Sequence, residues 1–78
     1  MDLDRLFLEA AVELAENGRL TCSPNPPVGC LICKDGRVVG RGYHEGSGLP
    51  HAEVNAINSI RGGDDQLRGA TFYVSLEP

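Results

Sequence analysis

An apolar run at residues 28–33, followed at once by Asp35-Gly36, constrains the fold of this chain more than any other feature. The run is nearly continuous, and such a run is typical of a strand that is covered on both faces. Asp-Gly is a strong signal for a two-residue hairpin turn. The sequence therefore predicts a buried strand at 28–33 and an antiparallel return strand at 37–43.

One helix is predicted ahead of this hairpin. Apolar residues recur between positions 3 and 17 at the i, i+3, i+4, i+7 spacing of a single helical face. Asp2 suits the N-cap position, and Asn17-Gly18 suits a left-handed stop. The result is an amphipathic helix over 3–17 that needs an apolar surface to pack on.

A second helix is predicted over residues 51–60 and a third strand over 70–76, where apolar and polar side chains alternate. The complete order is α-β-β-α-β. This order predicts an α/β protein of α-β-α layers. Because a helix connects the hairpin to the third strand, we also expect the sheet to be mixed.

Composition excludes several classes of function. The chain has a net charge of −4 with seven basic residues, which argues against a nucleic-acid partner, since phosphate backbones require clustered Lys and Arg. No apolar run approaches the roughly 18 residues of a membrane span, and the first residues lack the cationic start of a signal peptide. Three cysteines make an odd count, so a disulfide framework is not expected. We expect a cytoplasmic protein without membrane or nucleic-acid partners.

The tripeptide His51-Ala52-Glu53 carries the candidate chemistry. Residues i and i+2 of a regular helix point about 200° apart, so the histidine and the glutamate can share a site only if His51 lies at or before the first turn. Pro50 favours that position by keeping the approach extended. His-x-Glu followed later by Pro-Cys is the signature of zinc deaminases, in which the His binds the metal and the Glu transfers protons. Here the Pro is Pro78, and the Cys would be the residue after it.

Several further motifs occur in a fixed order around this tripeptide. They are Pro24-Asn25-Pro26, Val28-Gly29-Cys30, Asp35-Gly36, Gly40-x-Gly42-Tyr43-His44, Gly48-x-Pro50-His51-Ala52-Glu53 and Leu76-Glu77-Pro78. Together they resemble the deaminase domain of the riboflavin-biosynthesis pyrimidine deaminase/reductase. The resemblance implies a cytidine-deaminase-like fold and hydrolytic deamination of diaminohydroxyphosphoribosylaminopyrimidine, a phosphorylated small molecule.

The resemblance also implies roles for single residues. His51 would bind Zn²⁺, Glu53 would be the catalytic proton carrier, and the substrate pocket would be lined by Asn25, His44 and Ala52. The family's two cysteine ligands would follow residue 78. We therefore expect residues 1–78 to form an incomplete N-terminal part of a deaminase domain that is inactive alone, within a longer homo-oligomeric enzyme.

Other interpretations remain open from the residues themselves. The chain could belong to a tRNA adenosine or cytidylate deaminase, or be a non-catalytic remnant or interaction module. Without the resemblance, Asn25 is an ordinary turn residue and His44 an ordinary surface histidine. Cys30-x-x-Cys33 suggests a metal, but alternation along a strand points the two thiols to opposite faces, so we expect inert core cysteines.

Overall fold

Two helices and three strands follow the predicted α-β-β-α-β order in the computed structural model, which describes residues 2–19, 27–46, 48–61 and 63–76. Asn25 and Cys22 lie outside the described residues. Short 3₁₀ turns occur at Glu16–Gly18 and Gly63–Gln66. The helices and strands are α1 (Leu3–Ala15), β1 (Val28–Lys34), β2 (Arg37–Tyr43), α2 (Ala52–Asn58) and β3 (Thr71–Leu76).

The predicted hairpin is confirmed. β1 and β2 pair antiparallel, and Lys34 lies opposite Arg37 across the two-residue turn. Asp35 and Gly36 both adopt positive φ, at 54° and 77°, as a type I′ turn requires, and glycine takes this conformation without steric cost. The register shifts between Ile32 and Cys33, so the hairpin contains a β-bulge within β2.

The described strands do not form the mixed sheet that we expected. Their order is β2-β1-β3, and β1 pairs antiparallel with both neighbours. A mixed sheet requires at least one parallel pair of strands, and the three described strands form none. The connection passes over β1, so β2 and β3 run in the same direction without being hydrogen-bonded to each other.

The predicted α-β-α layering is confirmed by alternation along β1. Cys30 and Ile32 are buried in a cluster with residues of α2, whereas Leu31 and Cys33 are buried in a cluster with Ala11 of α1. The two helices therefore cover opposite faces of the sheet. The two thiols also point to opposite faces, and both are buried and free, as the strand periodicity predicted.

The two ends of α1 differ in how well the sequence predicted them. Asp2 is the N-cap, and its side chain accepts a hydrogen bond from the backbone N–H of Arg5 at 3.3 Å. The predicted left-handed stop at Asn17-Gly18 is wrong, because α1 ends at Ala15 and a 3₁₀ turn follows it through Gly18. Gly18 is required for space instead, since a Cβ there would lie 2.1 Å from the backbone oxygen of His44.

The second helix is shorter than predicted, at Ala52–Asn58 instead of 51–60. It ends where the Ser59 hydroxyl donates to the carbonyl of Ala56 at 2.7 Å and accepts from the backbone N–H of Arg41 at 2.9 Å. Its approach to β2 is close, because a Cβ on Gly42 would lie 2.4 Å from the backbone nitrogen of Ala56. Neither described helix is long and apolar enough to cross a membrane.

Candidate active site

His51 occupies the N-cap position of α2. Its backbone is extended, with φ −70° and ψ 165°, and the helix begins at the next residue. This confirms that His51 precedes the first turn, in which Glu53 lies. Both side chains are exposed, while Ala52 between them is fully buried. Because His51 is extended and not helical, the 200° separation of a continuous helix does not apply to this pair.

His44 lies directly after β2 and packs against His51. The centroids of the two imidazole rings are 5.2 Å apart, with the ring planes tilted by 50°. The His44 residue is only 4% exposed, so the ordinary expectation of a surface histidine is wrong. Its backbone N–H donates to the carbonyl of Val28 at 3.0 Å, which fixes the end of β2 against the start of β1.

The Nε2 atom of His44 is buried without a hydrogen-bond partner among the described residues. Buried polar atoms are nearly always hydrogen-bonded, because leaving one unpaired costs the full desolvation penalty. The site therefore presents a polar atom suited to a ligand group or a water molecule, beside the exposed ring of His51.

Asn55 is a site residue that the sequence analysis missed. Its side-chain Nδ2 donates to the carbonyl of Tyr43 at 2.8 Å and to the carbonyl of Pro50 at 3.3 Å. These carbonyls belong to the residues directly before His44 and His51. One amide on α2 therefore links the two backbone segments that carry the histidines. An asparagine within a helix is a poor helix former, and that mild anomaly was the available signal.

Glu53 exerts its charge on the core cysteine beneath α2. The pKa of the Cys30 thiol is raised to about 11, first by burial, then by the negative charges of Glu53 and Cys33. The Glu53 carboxylate is thus close enough to β1 to act on a residue of the central strand. Burial likewise raises the pKa of Cys33. Both thiols therefore stay protonated at neutral pH, and they lie on opposite faces of the sheet.

The donor set for a zinc ion is incomplete in the part of the chain that the structure describes. Structural and catalytic zinc sites use at least three protein ligands. No group of three His, Cys, Asp or Glu side chains comes together within residues 2–19, 27–46, 48–61 and 63–76. His51 has the exposed imidazole that a single ligand needs. The described residues therefore do not hold zinc by themselves.

The arrangement brings two imidazoles and one carboxylate to one end of the sheet, above β1 and β2. Imidazole and carboxylate are the usual general acid–base groups in enzymes. These groups are held by helix α2 and strand ends instead of by long loops, which keeps their positions defined. Such a site suits proton transfer to and from a small polar molecule.

A family model for the "Cytidine and deoxycytidylate deaminase zinc-binding region" matches residues 1–78. The riboflavin biosynthesis protein RibD of Escherichia coli is 51% identical over 75 residues, which is 96% of this chain and 20% of that protein. The diaminohydroxyphosphoribosylaminopyrimidine deaminase of Buchnera aphidicola from Acyrthosiphon pisum is 45% identical over 75 residues, 96% of this chain and 49% of that protein.

A solved structure is also similar. It is the diaminohydroxyphosphoribosylaminopyrimidine deaminase/5-amino-6-(5-phosphoribosylamino)uracil reductase of Thermotoga maritima, with a TM-score of 0.86 and 45% identity. The match covers 94% of this chain and 21% of that one. This chain thus spans between about a fifth and about half of the length of these relatives.

Proposed function

Because this chain belongs to the family of the cytidine and deoxycytidylate deaminase zinc-binding region, we propose that it forms part of an enzyme that deaminates diaminohydroxyphosphoribosylaminopyrimidine in riboflavin biosynthesis. The observation that carries the proposal is the contact between His44 and His51, with the unpartnered Nε2 of His44 beside it. Glu53 lies within the same helical turn that His51 caps. Hydrolysis at such a site replaces a ring amino group by oxygen from water and releases ammonia.

His51 is the proposed zinc ligand of this chain. Its ring is exposed, and its extended backbone directs it away from the regular part of α2. Residues outside the described part of the chain supply the other ligands. A bound zinc ion supplies Lewis acidity that lowers the pKa of a water molecule into the neutral range.

Glu53 is the proposed proton carrier. It lies in the first turn of α2, where the positive end of the helix dipole favours a carboxylate. It takes a proton from the attacking water and delivers it to the ring nitrogen as the new C–O bond forms. It then takes the proton of the new hydroxyl group and delivers it to the amine, which leaves as ammonia while the C=O bond forms. The same carboxylate thus serves first as base and then as acid in each half of the reaction.

Three residues are proposed to bind the substrate. His44 offers its buried Nε2 as a hydrogen-bonding partner for the pyrimidine or the phosphate. Ala52 is buried under the site and leaves room for the ring. Asn25, outside the described residues, would offer an amide. We further propose that residues 1–78 are the N-terminal part of the deaminase domain of a cytoplasmic homo-oligomer.

A segment exchange tests the function. The 75 aligned residues of the Buchnera aphidicola deaminase, 45% identical to this chain, would be replaced by this sequence. We expect the chimaera to retain zinc and to release ammonia from diaminohydroxyphosphoribosylaminopyrimidine, with the unmodified deaminase as the reference. A folded, zinc-loaded chimaera that releases no ammonia would contradict the proposal.

A further inference from the structure

We propose that this chain has a second binding site, for a small phosphorylated or polyphosphate anion, at a depression beside β2. The depression has a volume of about 610 Å³. Three arginines line it, Arg37, Arg41 and Arg61, together with Ser59 and Gln66. We call this the arginine depression. It lies at the opposite end of α2 from His51, since Arg61 follows the C-terminal end of that helix.

Charge pairing sets these arginines apart from the other basic residues. Within the described ranges, Arg37, Arg41 and Arg61 have no carboxylate partner, and no acidic residue lines the depression. The remaining four basic residues all have partners. They are Arg5 with Glu9 at 3.1 Å, Arg19 with Glu16 at 2.6 Å, Arg68 with Asp65 at 3.6 Å, and Lys34 with the backbone oxygen of Asp65 at 2.6 Å.

The floor of the depression is held in place by hydrogen bonds. The Ser59 hydroxyl joins the backbone N–H of Arg41 to the carbonyl of Ala56, at 2.9 and 2.7 Å. This ties the outer edge of β2 to the end of α2. Arg37 lies opposite Lys34 in the hairpin, which places it on the α2 side of the sheet. Arg37 and Arg61 therefore approach the depression from two different parts of the chain.

The size and chemistry of the depression indicate its ligand. Small-molecule sites have volumes of roughly 300–1,000 Å³, so about 610 Å³ accommodates a nucleotide-sized anion. Guanidinium groups match phosphate oxygens through paired N–H donors. A nucleic acid is not favoured, because the chain has a net charge of −4 and only three arginines face this surface.

Arginines on an exposed edge strand have an ordinary explanation, since charge there discourages pairing with another sheet. That explanation accounts for Arg37 and Arg41, which belong to β2. It does not account for Arg61, which lies beyond α2 and still lines the same depression. The convergence of two elements on one surface is what points to a ligand. The seven-residue α2 separates this surface from His51 by roughly 10 Å, at 1.5 Å rise per residue.

Titration of the ¹⁵N-labelled Buchnera chimaera with pyrophosphate, followed by NMR, tests the site. We expect saturable shifts in the signals of Arg37, Arg41 and Arg61, weakened by added salt, and none at His44 or His51. The double substitution Arg37→Ala with Arg61→Ala should raise the Kd about ten-fold or more, because charge-assisted hydrogen bonds are lost. The matched control, Arg5→Ala with Arg68→Ala, removes the same charge from two exposed ion pairs and should leave the Kd unchanged.

Two results would overturn the proposal. One is an equal loss of affinity in the control, which would show an unspecific response to net charge. The other is binding that shifts His44 and His51 and is indifferent to Arg37 and Arg61. If the double alanine chain does not fold, Arg37→Gln with Arg61→Gln keeps the aliphatic stems and decides the same question.

Discussion

Helix and strand backbones come close at glycines on both faces of the sheet, but the two faces differ in what surrounds these contacts. On the α1 face, large side chains fill the space, and the rings of Phe7 and Tyr73 pack at 5.4 Å between centroids. On the α2 face, Ala52 and Ala56 meet strands that carry Gly40 and Gly42, so that backbones come together. The polar candidates His44, His51 and Glu53 belong to this second face. Close backbone approach at Ala56 sets the distance of α2 from the sheet, and the first residues of α2 carry the candidate chemistry.

The largest expected effect comes from His51. In the Buchnera chimaera, His51→Ala should abolish zinc retention and lower the rate of ammonia release by more than about 10⁴-fold, because the metal and the geometry for proton transfer are both lost. Elemental analysis after dialysis and an ammonia assay measure the two effects. On the α1 face, Leu14→Ala should leave the zinc content unchanged. Full zinc occupancy in the His51→Ala variant would show that His51 is not a zinc ligand.

Substituting one glycine by alanine on each face distinguishes an effect on folding stability from an effect on the geometry of the site. A Cβ on Gly42 would lie 2.4 Å from the nitrogen of Ala56, and one on Gly29 would lie 2.1 Å from the carbonyl oxygen of Ala11. Gly42→Ala and Gly29→Ala should each lower the free energy of unfolding by about 1–3 kcal/mol or more, through overpacking. Urea titration measures this cost.

The same pair of substitutions should differ at the histidines. The chain has two histidines, so their ring signals are readily assigned by NMR. Gly42→Ala displaces α2 and should shift both signals, whereas Gly29→Ala displaces α1 and should leave the His51 signal in place. His44 responds to both substitutions, because its backbone N–H donates to the carbonyl of Val28, next to Gly29. Equal shifts of the His51 signal in both variants would show that the two faces are not independent, and the comparison would fail.

Much of the fold could be predicted because its signals are local. The Asp35-Gly36 dipeptide sets the hairpin, and the uninterrupted apolar run of β1 predicts a cover on both faces. Pro50 keeps the chain extended before His51, which predicted the cap correctly. In each case a short stretch of sequence determines the backbone geometry that the structure adopts.

The features that sequence analysis missed depend on contacts between distant residues. The position of β3 beside β1 instead of β2 follows from how α2 crosses the sheet, and no dipeptide encodes it. Gly18 looked like a left-handed cap, but it provides space for the carbonyl of His44, 26 positions further along the chain. In the sequence Asn55 is an ordinary polar residue on a helix. Only the fold brings its two acceptors, the carbonyls of Tyr43 and Pro50, within reach of its side chain.

Asn55 should have a smaller effect than the glycines. Asn55→Ala removes two hydrogen bonds, each contributing about 0.5–1.5 kcal/mol, and frees the backbone before His44 and His51. We expect lower stability in urea titration and changed ring signals of both histidines. Asn58→Ala, at an exposed position on the same helix, is the matched control and should change neither. Unchanged histidine signals in the Asn55 variant would rule out its positioning role.

The smallest expected effect is the pH dependence that Tyr73 contributes on the α1 face. The Tyr73 hydroxyl donates to the Asp4 carboxylate, and this bond, followed by burial, raises the pKa of Tyr73 from 10.0 to about 12. The folded chain therefore keeps a proton that the unfolded chain loses. The contribution of Tyr73 to folding stability should be constant below pH 10 and should fall between pH 10 and about 12.

Tyr73→Phe removes the titrating group and should flatten this part of the stability curve, as measured by urea midpoints across the same pH range. The pKa of Cys30 is also raised, to about 11. Its ionisation lowers the folding stability equally in the unmodified chain and in the Tyr73→Phe variant. If the tyrosine and phenylalanine chains lose stability in parallel above pH 10, the hydroxyl of Tyr73 does not hold its proton in the folded state.

The most direct test of the α2 face as the catalytic face is the rate of ammonia release by the Glu53→Gln chimaera at full zinc occupancy. The substitution keeps the shape and removes the base, so we expect the rate to fall by roughly 10²–10⁴-fold. Glu13→Gln, an exposed change on α1, should leave the rate unaltered. Deamination at the unmodified rate by the zinc-loaded Glu53→Gln protein would make Glu53 a structural charge and would contradict the proposed mechanism.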